Sequence, residues 1–490
     1  MAKNYRPVAL TSHLIKVFEK VVRGHIVNFM SDHTLFNSTQ HGFRGGHSCL
    51  SQLLNHFDKI TCELERGNGV DVIYLDFAKA FDKLDHSITL KKLEFLGIKG
   101  LLGRWITTFL TNRTQSVVID GHRSSPKPVL SGVPQGSVLG PLFFLVLIGD
   151  IDKEVVEAFL SSFADDTRVG KGISTPADTA KLQSDLNAVY NWSVINNMLF
   201  NSDKFELVRY ESKASKLTQA ETSYYSNDGS QINETTHVRD LGVTLSNDAT
   251  FHQHITDRCE LVKGKVAWIL RTFHSRDRLP MLTLWKTLVL CHLDYCSQLW
   301  SPSDVGSIQR LELLQKAFTS RIEGMSGLNY WDQLRHLRLQ SLERRRERYR
   351  IIYTWRIIEG QVPNLDATPI ELTVSDRRGR SCVLPTISTT AAQRIKTIRF
   401  SSLPFKGPRL FNCLPKDIRG LTNCTVAVFK GKLDKFLSTL PDQPLIPSMT
   451  AYRECESNSI IDWVHHQRRQ TESTLRPLTG QEDSFYETAW

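Results

Sequence analysis

Two adjacent aspartates interrupt an apolar stretch in the segment FADDTRVG, at residues 163–170. The surrounding pattern predicts two short strands with Asp165 and Asp166 at the turn between them. Neighbouring like charges are unfavourable unless water or a cation compensates them. On this segment alone, a solvated turn and a metal site both remain open.

A third aspartate, Asp76, ends the apolar segment DVIYLDF at residues 71–77, whose alternation is typical of a β-strand. If this strand pairs with the hairpin, three carboxylates meet at one edge of a sheet. Hard oxygen ligands of this kind suit Mg²⁺. Two such ions about 3.5–4 Å apart can activate a 3′-hydroxyl and stabilise a leaving pyrophosphate. The three acids therefore indicate the chemistry of a nucleotide polymerase.

The net charge of +10 is unevenly distributed along the 490 residues. Residues 1–250 carry 26 Lys and Arg against 27 Asp and Glu, whereas residues 251–490 carry 35 against 24. A basic half suggests a polyanionic partner, most often a nucleic acid. The alternative is a soluble surface that happens to be basic.

The remaining composition is that of an ordinary globular protein, with 40% hydrophobic and 23% charged residues. The first ten residues lack the apolar core of a signal peptide. The longest apolar run, at 141–149, is shorter than the roughly 20 residues that span a bilayer. We therefore expect an intracellular protein, in the nucleus, the cytoplasm or both, that does not enter a membrane.

Hydrophobic periodicity predicts an α+β fold for residues 1–250, with an antiparallel sheet. Residues 1–68 are mainly helical, strands are expected at 71–77, 115–120, 205–210 and 237–245, and the acidic hairpin lies between helices. From about residue 250 onward the pattern is mainly helical. The chain length suits two to four domains, at roughly 100–200 residues each.

Seven blocks in this order resemble the reverse transcriptases of LINE-type, or non-LTR, retrotransposons of the Jockey-like kind. They are NYRPVALTSHLIKVFEKVV (4–22), QHGFRGGHSC (40–49), YLDFAKAFDKLDH (74–86), SGVPQGSVLGPLFFLVLIGDI (131–151), FADD (163–166), NMLFNSDKFELV (197–208) and LGVTL (241–245). The resemblance implies a right-hand polymerase and a division into four regions. These are partial fingers (1–68), palm with the remaining fingers elements (69–250), a helical thumb-like region (251–360), and a C-terminal region of unknown role (361–490), loosely ordered at its end.

The resemblance also assigns roles to individual residues. Asp76, Asp165 and Asp166 match the metal-binding and catalytic acids, and Lys204 falls where the family places a lysine near the departing pyrophosphate. Three further positions match substrate contacts: Phe81, which excludes the ribose 2′-hydroxyl, and Gln135 and Gly136, in a loop against the nucleotide and template. Arg44 matches a fingers arginine, which we expect on the triphosphate because an arginine fork suits phosphate oxygens.

Simpler interpretations remain open for several of these residues. Phe81 could be a core aromatic, Arg44 a surface arginine and Lys204 a solvated lysine. A basic helix can also track phosphates, and the run between 344 and 350 offers five candidates, although a solvated helix face explains them equally well: Arg344, Arg345, Arg346, Arg348 and Arg350.

Two functions remain on the sequence alone. The first is an RNA-directed DNA polymerase that uses two Mg²⁺ ions, with Mn²⁺ as a possible substitute, together with dNTPs, an RNA template and a DNA primer. The second is a truncated, non-catalytic remnant that binds nucleic acid, because the chain begins at the NYRP block with no upstream endonuclease residues and no RNase H block after it. The pattern says nothing of oligomeric state.

Overall fold

The computed structural model describes residues 9–210, 223–376, 379–447 and 455–475. It divides into two compact units. The first comprises Met1–Phe251 with the short segments Leu365–Thr368 and Ile387–Arg399, and the second comprises His252–Asn364, Pro369–Thr386 and Phe400–Trp490. Part of the NYRP block and the last fifteen residues, where loose order is expected, lie outside the described residues.

The first unit combines helices with a five-stranded sheet. Its helices are α1 (His13–Asp32), α2 (Cys49–Glu65), α3 (Ala80–Lys83), α4 (His86–Phe95), α5 (Gly100–Leu110), α6 (Gly140–Leu147) and α7 (Pro176–Ile195). Its strands are β1 (Gly69–Leu75), β2 (Arg113–Gln115), β3 (Val118–Ile119), β4 (His122–Arg123), β5 (Lys127–Val129), β6 (Phe159–Phe163), β7 (Asp166–Ile173), β8 (Glu206–Tyr210), β9 (Asn233–Glu234), β10 (His237–Asp240) and β11 (Val243–Ser246).

The central sheet has the strand order β6-β7-β1-β8-β9. The pairs β6–β7, β7–β1 and β1–β8 are antiparallel, and only the short β9 joins in parallel. All seven residues of β1 are buried, because helices cover the strand. The α+β class and the antiparallel sheet predicted from the sequence are confirmed.

Two strand predictions are wrong in their extent. The segment predicted as one strand at 115–120 contains only the end of β2, at Gln115, and the short β3, and these two strands belong to separate two-stranded sheets. The segment at 237–245 is a hairpin of β10 and β11, in which Asp240 pairs with Val243 across a two-residue turn. Both turn residues have positive φ, +44° at Leu241 and +81° at Gly242. Apolar alternation on both sides of the turn looks like one continuous strand, because periodicity does not register a backbone reversal that uses no proline and only one glycine.

Two helices of the first unit begin with a capping box, in which side chains accept hydrogen bonds from backbone amides at the helix start. Helix α2 starts with a capping box between Ser48 and Ser51, and α7 with one between Thr175 and Asp178, followed by Pro176. Helix α6 is apolar over its whole length and lies in the core of this unit. A helix that is hydrophobic all round is stable only when it is buried.

The second unit is mainly helical. It contains α8 (His252–Thr272), α9 (Arg278–Leu284), α10 (Leu290–Asp294), α11 (Ser297–Trp300), α12 (Val305–Thr319), α13 (Tyr330–Leu337), α14 (Leu342–Ile358), α16 (Leu403–Asn412), α17 (Lys416–Arg419), α18 (Val426–Leu437) and α19 (Ile460–Leu475), with a hairpin of β12 (Leu372–Ser375) and β13 (Gly379–Cys382). Helix α15 (Gln393–Ser401) lies almost wholly within the last segment of the first unit. No helix in the described ranges is both long and apolar enough to cross a membrane.

Helix α14 forms the centre of the second unit. Most of its seventeen residues are buried, including Trp355, whose ring stacks on Phe429 of α18 with centroids 4.4 Å apart. Its first turn is capped by the Ser341 hydroxyl, which accepts from the Arg344 amide. A helix in this position must bury its polar residues as well as its apolar ones.

Arg399, in the last segment of the first unit, forms ion pairs with two acidic side chains of α2. Arg399 donates through Nη1 to Asp58 Oδ1 at 2.6 Å and through Nε to Glu65 Oε2 at 2.8 Å. The side chains of Arg399 and Asp58 are only 3% and 2% exposed. Burial raises the pKa of Asp58, although the neighbouring guanidinium acts in the opposite direction. The carboxylate therefore depends on Arg399 for its charge balance.

We expect removal of one partner of this buried pair to be costly. Arg399→Gln should lower the free energy of unfolding by about 3–5 kcal/mol, because it leaves the buried Asp58 carboxylate uncompensated. Asp58→Asn should cost less, because Arg399 keeps its ion pair with Glu65. The double variant should recover much of the loss. Urea denaturation measures the effect, with Arg66→Gln as the control. Arg66 forms an exposed pair with Glu63, worth at most about 1 kcal/mol. Equal losses in Arg399→Gln and the control would contradict the assignment.

Candidate active site

The sheet brings the three predicted acids to one edge. In the β1–β7 pair, Leu75 lies opposite Thr167, so continuing the register places Asp76 across from Asp166. Strands β6 and β7 close at the pair Phe163 and Asp166, which leaves a two-residue turn containing Asp165. The carboxylates thus converge through strand register and a tight turn.

Ionisation of Asp166 is unfavourable at this edge of the sheet, where Asp76 and Asp165 are close to it. The pKa of Asp166 is raised to about 6, mainly by burial and also by the neighbouring charges of Asp165, Asp240 and Asp76, although Arg168 opposes the shift. Ionised carboxylates in this arrangement repel one another unless a cation lies among them. The donor set, all carboxylate oxygen, suits a hard divalent ion.

The acids do not form a ready-made metal cage. Across the described ranges, no group of three His, Cys, Asp or Glu side chains is arranged to hold a metal ion by itself. Mg²⁺ usually takes only one or two carboxylates and completes its octahedron with water and substrate phosphates. The residues therefore fit a site that is completed by substrate.

Lys204 lies directly beside the first acid. Its ammonium Nζ is 2.7 Å from Asp76 Oδ2, and both side chains are partly open to solvent. The 3₁₀ turn that carries the lysine (Ser202–Lys204) follows Asn201, whose amide donates to the Asp76 carbonyl at 2.8 Å. The lysine thus reaches the site as predicted, but its partner in this structure is a carboxylate.

Gln40 holds the turn between β6 and β7, a role that the sequence analysis missed. Its amide nitrogen donates to the Ala164 carbonyl at 3.1 Å, and its Oε1 accepts from the amides of Ala164 at 2.8 Å and Gly42 at 2.6 Å. A Cβ on Gly42 would lie 2.3 Å from the Ala164 nitrogen. The only signal in the sequence was the polar QHG triplet before a glycine-rich loop, which gives no indication of its long-range partner.

Phe81 lies in an aromatic cluster. Its ring stacks on Phe144 with centroids 4.8 Å apart and meets the edge of Phe43 at 5.8 Å. Its carbonyl accepts from the Val133 amide at 3.0 Å, so the residue lies against the loop at 131–139. The ring is half-buried, which is compatible with both a core role and a substrate contact.

The loop that carries Gln135 and Gly136 is fixed from two sides. Gln135 Nε2 donates to Asp82 Oδ1 at 2.8 Å, and Gly136 has φ +105°, a conformation that favours glycine. The fully buried Glu19 accepts from the amides of Val138 and Leu139 at 2.7 and 3.0 Å. Glu19 is a second residue that the sequence analysis missed, because its partners lie about 120 positions away.

Arg44 does not extend as a free phosphate ligand. Its Nη1 donates to the carbonyls of Asn37 and Gln40, at 2.5 and 3.1 Å, and its guanidinium lies over Phe36 at 5.2 Å from the ring centroid. In this structure the arginine supports the loop that carries Gln40. Both hydrogen bonds use Nη1 alone, and the expected contact with a triphosphate stays a prediction.

The run at 344–350 is not a basic surface, which corrects the phosphate-binding interpretation. Arg344, Arg346 and Arg350 are only 1%, 5% and 4% exposed. Arg344 Nη2 donates to the Pro441 carbonyl at 2.8 Å, and Arg350 Nη2 to the Ser401 carbonyl at 2.9 Å. Helix α14 lies inside the second unit, so these side chains are internal.

The two remaining arginines of the run form ion pairs. Arg345 holds Asp294 in a bidentate contact, with Nε–Oδ1 at 2.9 Å and Nη2–Oδ2 at 2.7 Å. Arg348 Nη2 donates to Asp434 Oδ2 at 2.7 Å. A solvated helix face, the simpler interpretation, is also incorrect, because the run contributes to packing and charge balance.

A cavity of about 260 Å³ opens beside the carboxylates. The cavity is lined by the end of β1, the start of β7, Lys204 and the β10–β11 hairpin. The lining residues are Tyr74, Leu75, Asp76, Asp166, Thr167, Arg168, Lys204, Glu206, Val238, Arg239, Asp240 and Leu241. Asp76, Asp166, Lys204 and the β10–β11 turn therefore line the same cavity.

Comparison with known proteins gives a consistent result. Residues 2–245 match the family described as reverse transcriptase (RNA-dependent DNA polymerase). The chain is 28% identical over 334 residues to the RNA-directed DNA polymerase from mobile element jockey of Drosophila melanogaster, covering 66% of this chain and 36% of that protein. It is 29% identical over 335 residues to the probable RNA-directed DNA polymerase from transposon X-element of the same organism, with the same coverage. The chain thus spans about a third of the length of these relatives.

Solved structures give weaker matches. Telomerase from Candida albicans, in complex with a fragment of telomeric RNA, aligns with a TM-score of 0.38 and 12% identity, over 63% of this chain and 56% of the other. Apo telomerase from Candida tropicalis aligns with a TM-score of 0.37, also at 12% identity, over 67% and 55%. Scores at this level do not establish a shared fold.

The crowding at Asp166 predicts a conflict between stability and function. Because the folded-state pKa lies above the unfolded value of 3.8, the penalty for ionising this carboxylate is complete above about pH 6 and disappears only as pH falls below 3.8. Without divalent metal, Asp166→Asn should therefore raise the melting temperature at pH 8, on the order of 1–3 °C, with a smaller effect at pH 5 and almost none at about pH 3.

Differential scanning fluorimetry in EDTA measures this effect, with Asp203→Asn, an exposed aspartate of the same unit, as the control. Added Mg²⁺ should stabilise the parent more than Asp166→Asn. A lower melting temperature for Asp166→Asn at pH 8 in EDTA would show that the carboxylates do not repel one another as described.

Proposed function

Because the chain belongs, through residues 2–245, to the reverse transcriptase (RNA-dependent DNA polymerase) family, we propose that it catalyses RNA-templated DNA synthesis. The substrates are an RNA template, a primer with a free 3′-hydroxyl and dNTPs. The element is a non-LTR retrotransposon of the Jockey-like kind, as its relatives' names indicate. The observation that carries the proposal is the convergence of Asp76, Asp165 and Asp166 at one sheet edge.

In the proposed reaction the primer 3′-oxygen attacks the α-phosphorus of the dNTP. A P–O ester bond forms, the bond to the bridging oxygen breaks, and pyrophosphate leaves. Reverse transcriptases generally use divalent metal ions, and the three acids would hold two Mg²⁺, or Mn²⁺ in its place. Bound there, the ions supply charge neutralisation for the attacking and leaving oxygens.

The chain's own residues have distinct tasks in this scheme. Lys204 can exchange Asp76 for the departing pyrophosphate and donate a proton to it, since its ammonium is already at the site. Gln40 keeps the turn of Asp165 in one conformation through three hydrogen bonds. Phe81 closes the space under the sugar, and the loop of Gln135 and Gly136 contacts the nucleotide.

The alternative is a remnant that binds nucleic acid without catalysis. The Lys204–Asp76 ion pair favours it, because an ammonium beside the first acid competes with a metal ion. The catalytic proposal remains the better one, because the acids, the clamp by Gln40 and the conformation of the Gly136 loop are all present together.

A surface on α8 replaces the arginine run as the proposed nucleic-acid contact. Lys263, Trp268 and Arg271 are exposed along this helix, with Trp268 48% exposed. The small residues Gly264 and Ala267 lie between them, and a Cβ on Gly264 would meet nothing within 4 Å. The cationic side chains can bind phosphates, and a base can stack on the exposed aromatic ring. We assign this helix to the thumb-like region.

Primer extension tests the proposed function. The purified protein should extend a DNA primer on an RNA template in Mg²⁺ and not in EDTA. Asp76→Asn, Asp165→Asn and Asp166→Asn should each reduce the rate by at least about 100-fold, because each removes a carboxylate that would hold the metal ions. Asp203→Asn is the matched control. A folded parent that extends no primer with any divalent metal would favour the remnant.

A salt titration tests the relocated binding surface. Lys263→Gln with Arg271→Gln should lower the slope of log K against log[salt] by about 1.4–1.8, for two lost phosphate contacts. The control is Lys432→Gln with Lys435→Gln, which removes the same charge from exposed positions on α18. Changing the three buried arginines of the run, Arg344, Arg346 and Arg350, should instead unfold the second unit. Equal slopes in the test and control variants would remove α8 from the interface.

A further inference from the structure

A buried ion pair lies directly beneath the catalytic turn. Arg168 of β7 donates through Nη2 to Asp240 of β10, and each side chain is only 2% exposed. The same guanidinium donates through Nη1 to the backbone carbonyl of Asp166 at 3.3 Å. One side chain therefore joins a catalytic residue to the hairpin of β10 and β11.

The hairpin presents a strained turn to the same cavity. Leu241 has φ +44°, in a region that a leucine rarely occupies, and it is followed by Gly242 at +81°. Turns with both central residues at positive φ normally use asparagine, aspartate or glycine at the first position. Leu241 lines the cavity that also contains Asp76, Asp166 and Lys204. Strain of this kind persists only where the surrounding structure holds it in place.

Both partners of this ion pair have a buried polar atom without a hydrogen bond in the described part of the chain, which reduces the stability that the pair can contribute. Arg168 Nε and Asp240 Oδ2 are buried, and neither has a hydrogen-bond partner among the residues that the structure describes. Replacing a buried ion pair by apolar groups of similar volume is often neutral or stabilising. Stability alone does not explain why charges are placed here, between the catalytic turn and the hairpin.

We propose that Arg168 and Asp240 are positioning residues, which fix the distance between the Leu241 turn and the catalytic aspartates. The proposal rests on the proposed function and takes the cavity beside Asp76, Asp166 and Lys204 as the place of the primer terminus. The pair sets where the 3′-hydroxyl lies relative to the carboxylates without touching substrate. A displacement of about 1 Å at this distance can reduce the rate on the order of 100-fold.

The test separates positioning from stability. Asp240→Asn leaves Arg168 uncompensated and should lower the melting temperature. Arg168→Met with Asp240→Asn removes both charges and should restore most of it. Single-turnover extension by this double variant should nevertheless be on the order of 100-fold slower than the parent. Its primer–template Kd should change by less than about threefold, because phosphate contacts elsewhere dominate binding.

The matched control is Arg399→Met with Asp58→Asn, which removes an equally buried pair in the same unit. Its extension rate should stay within about threefold of the parent. Arg168→Lys keeps the charge and should recover part of the rate. If the Arg168 and Asp240 double variant extends as fast as the control, the pair is only structural and the proposal is overturned.

Hydrogen exchange provides a measurement that does not depend on activity. In the double variant, amides of residues 164–169 and 238–245 should exchange faster together, whereas the Arg399 and Asp58 control should leave both segments unchanged. Unchanged exchange in either segment overturns the coupling. A parent that shows normal exchange but no primer extension would refute the proposed function instead, and leave the structural coupling measured.

Discussion

Mutual repulsion among three carboxylates is the constraint around which the first unit is organised. The strands that bring Asp76, Asp165 and Asp166 together form the centre of the sheet, and their pairing cannot be relaxed without exposing β1. The surrounding residues compensate by different means. Lys204 places an ammonium against Asp76, Gln40 holds the Ala164 turn through its amide group, and Arg168 places a buried positive charge beneath Asp166.

These compensations are of two kinds. The contact with Lys204 is exposed and reversible, so it can yield to a metal ion and substrate. Gln40 and Arg168 are buried and make directional hydrogen bonds, so their contacts persist while the charge at the site changes. This combination leaves the acids in place and their counter-charge exchangeable, which is what the proposed nucleotidyl transfer requires.

The sequence was informative where a property is local. The alternation around Asp76, the acid pair between two short strands and the apolar run of α6 each predict their own element, and these predictions are confirmed. It was misleading where the outcome depends on burial by distant residues. Five arginines on a predicted helix carry the same local signal whether the helix is exposed or central, and only the tertiary structure places Arg344, Arg346 and Arg350 inside. Gln40 and Glu19 were missed for the same reason, because a polar residue reveals nothing of a partner more than a hundred positions away.

The contact between Arg399 and α2 has a consequence for biosynthesis. Asp58 and Glu65 are made early, but the guanidinium that neutralises them is made more than 330 residues later. At roughly 5–20 residues per second, a nascent chain carries the unpaired acids for about 20–70 s. During that time the first unit has its strands, its three clustered aspartates and most of its core, but lacks one internal counter-charge. Completion of this unit therefore follows, and cannot precede, synthesis of much of the second.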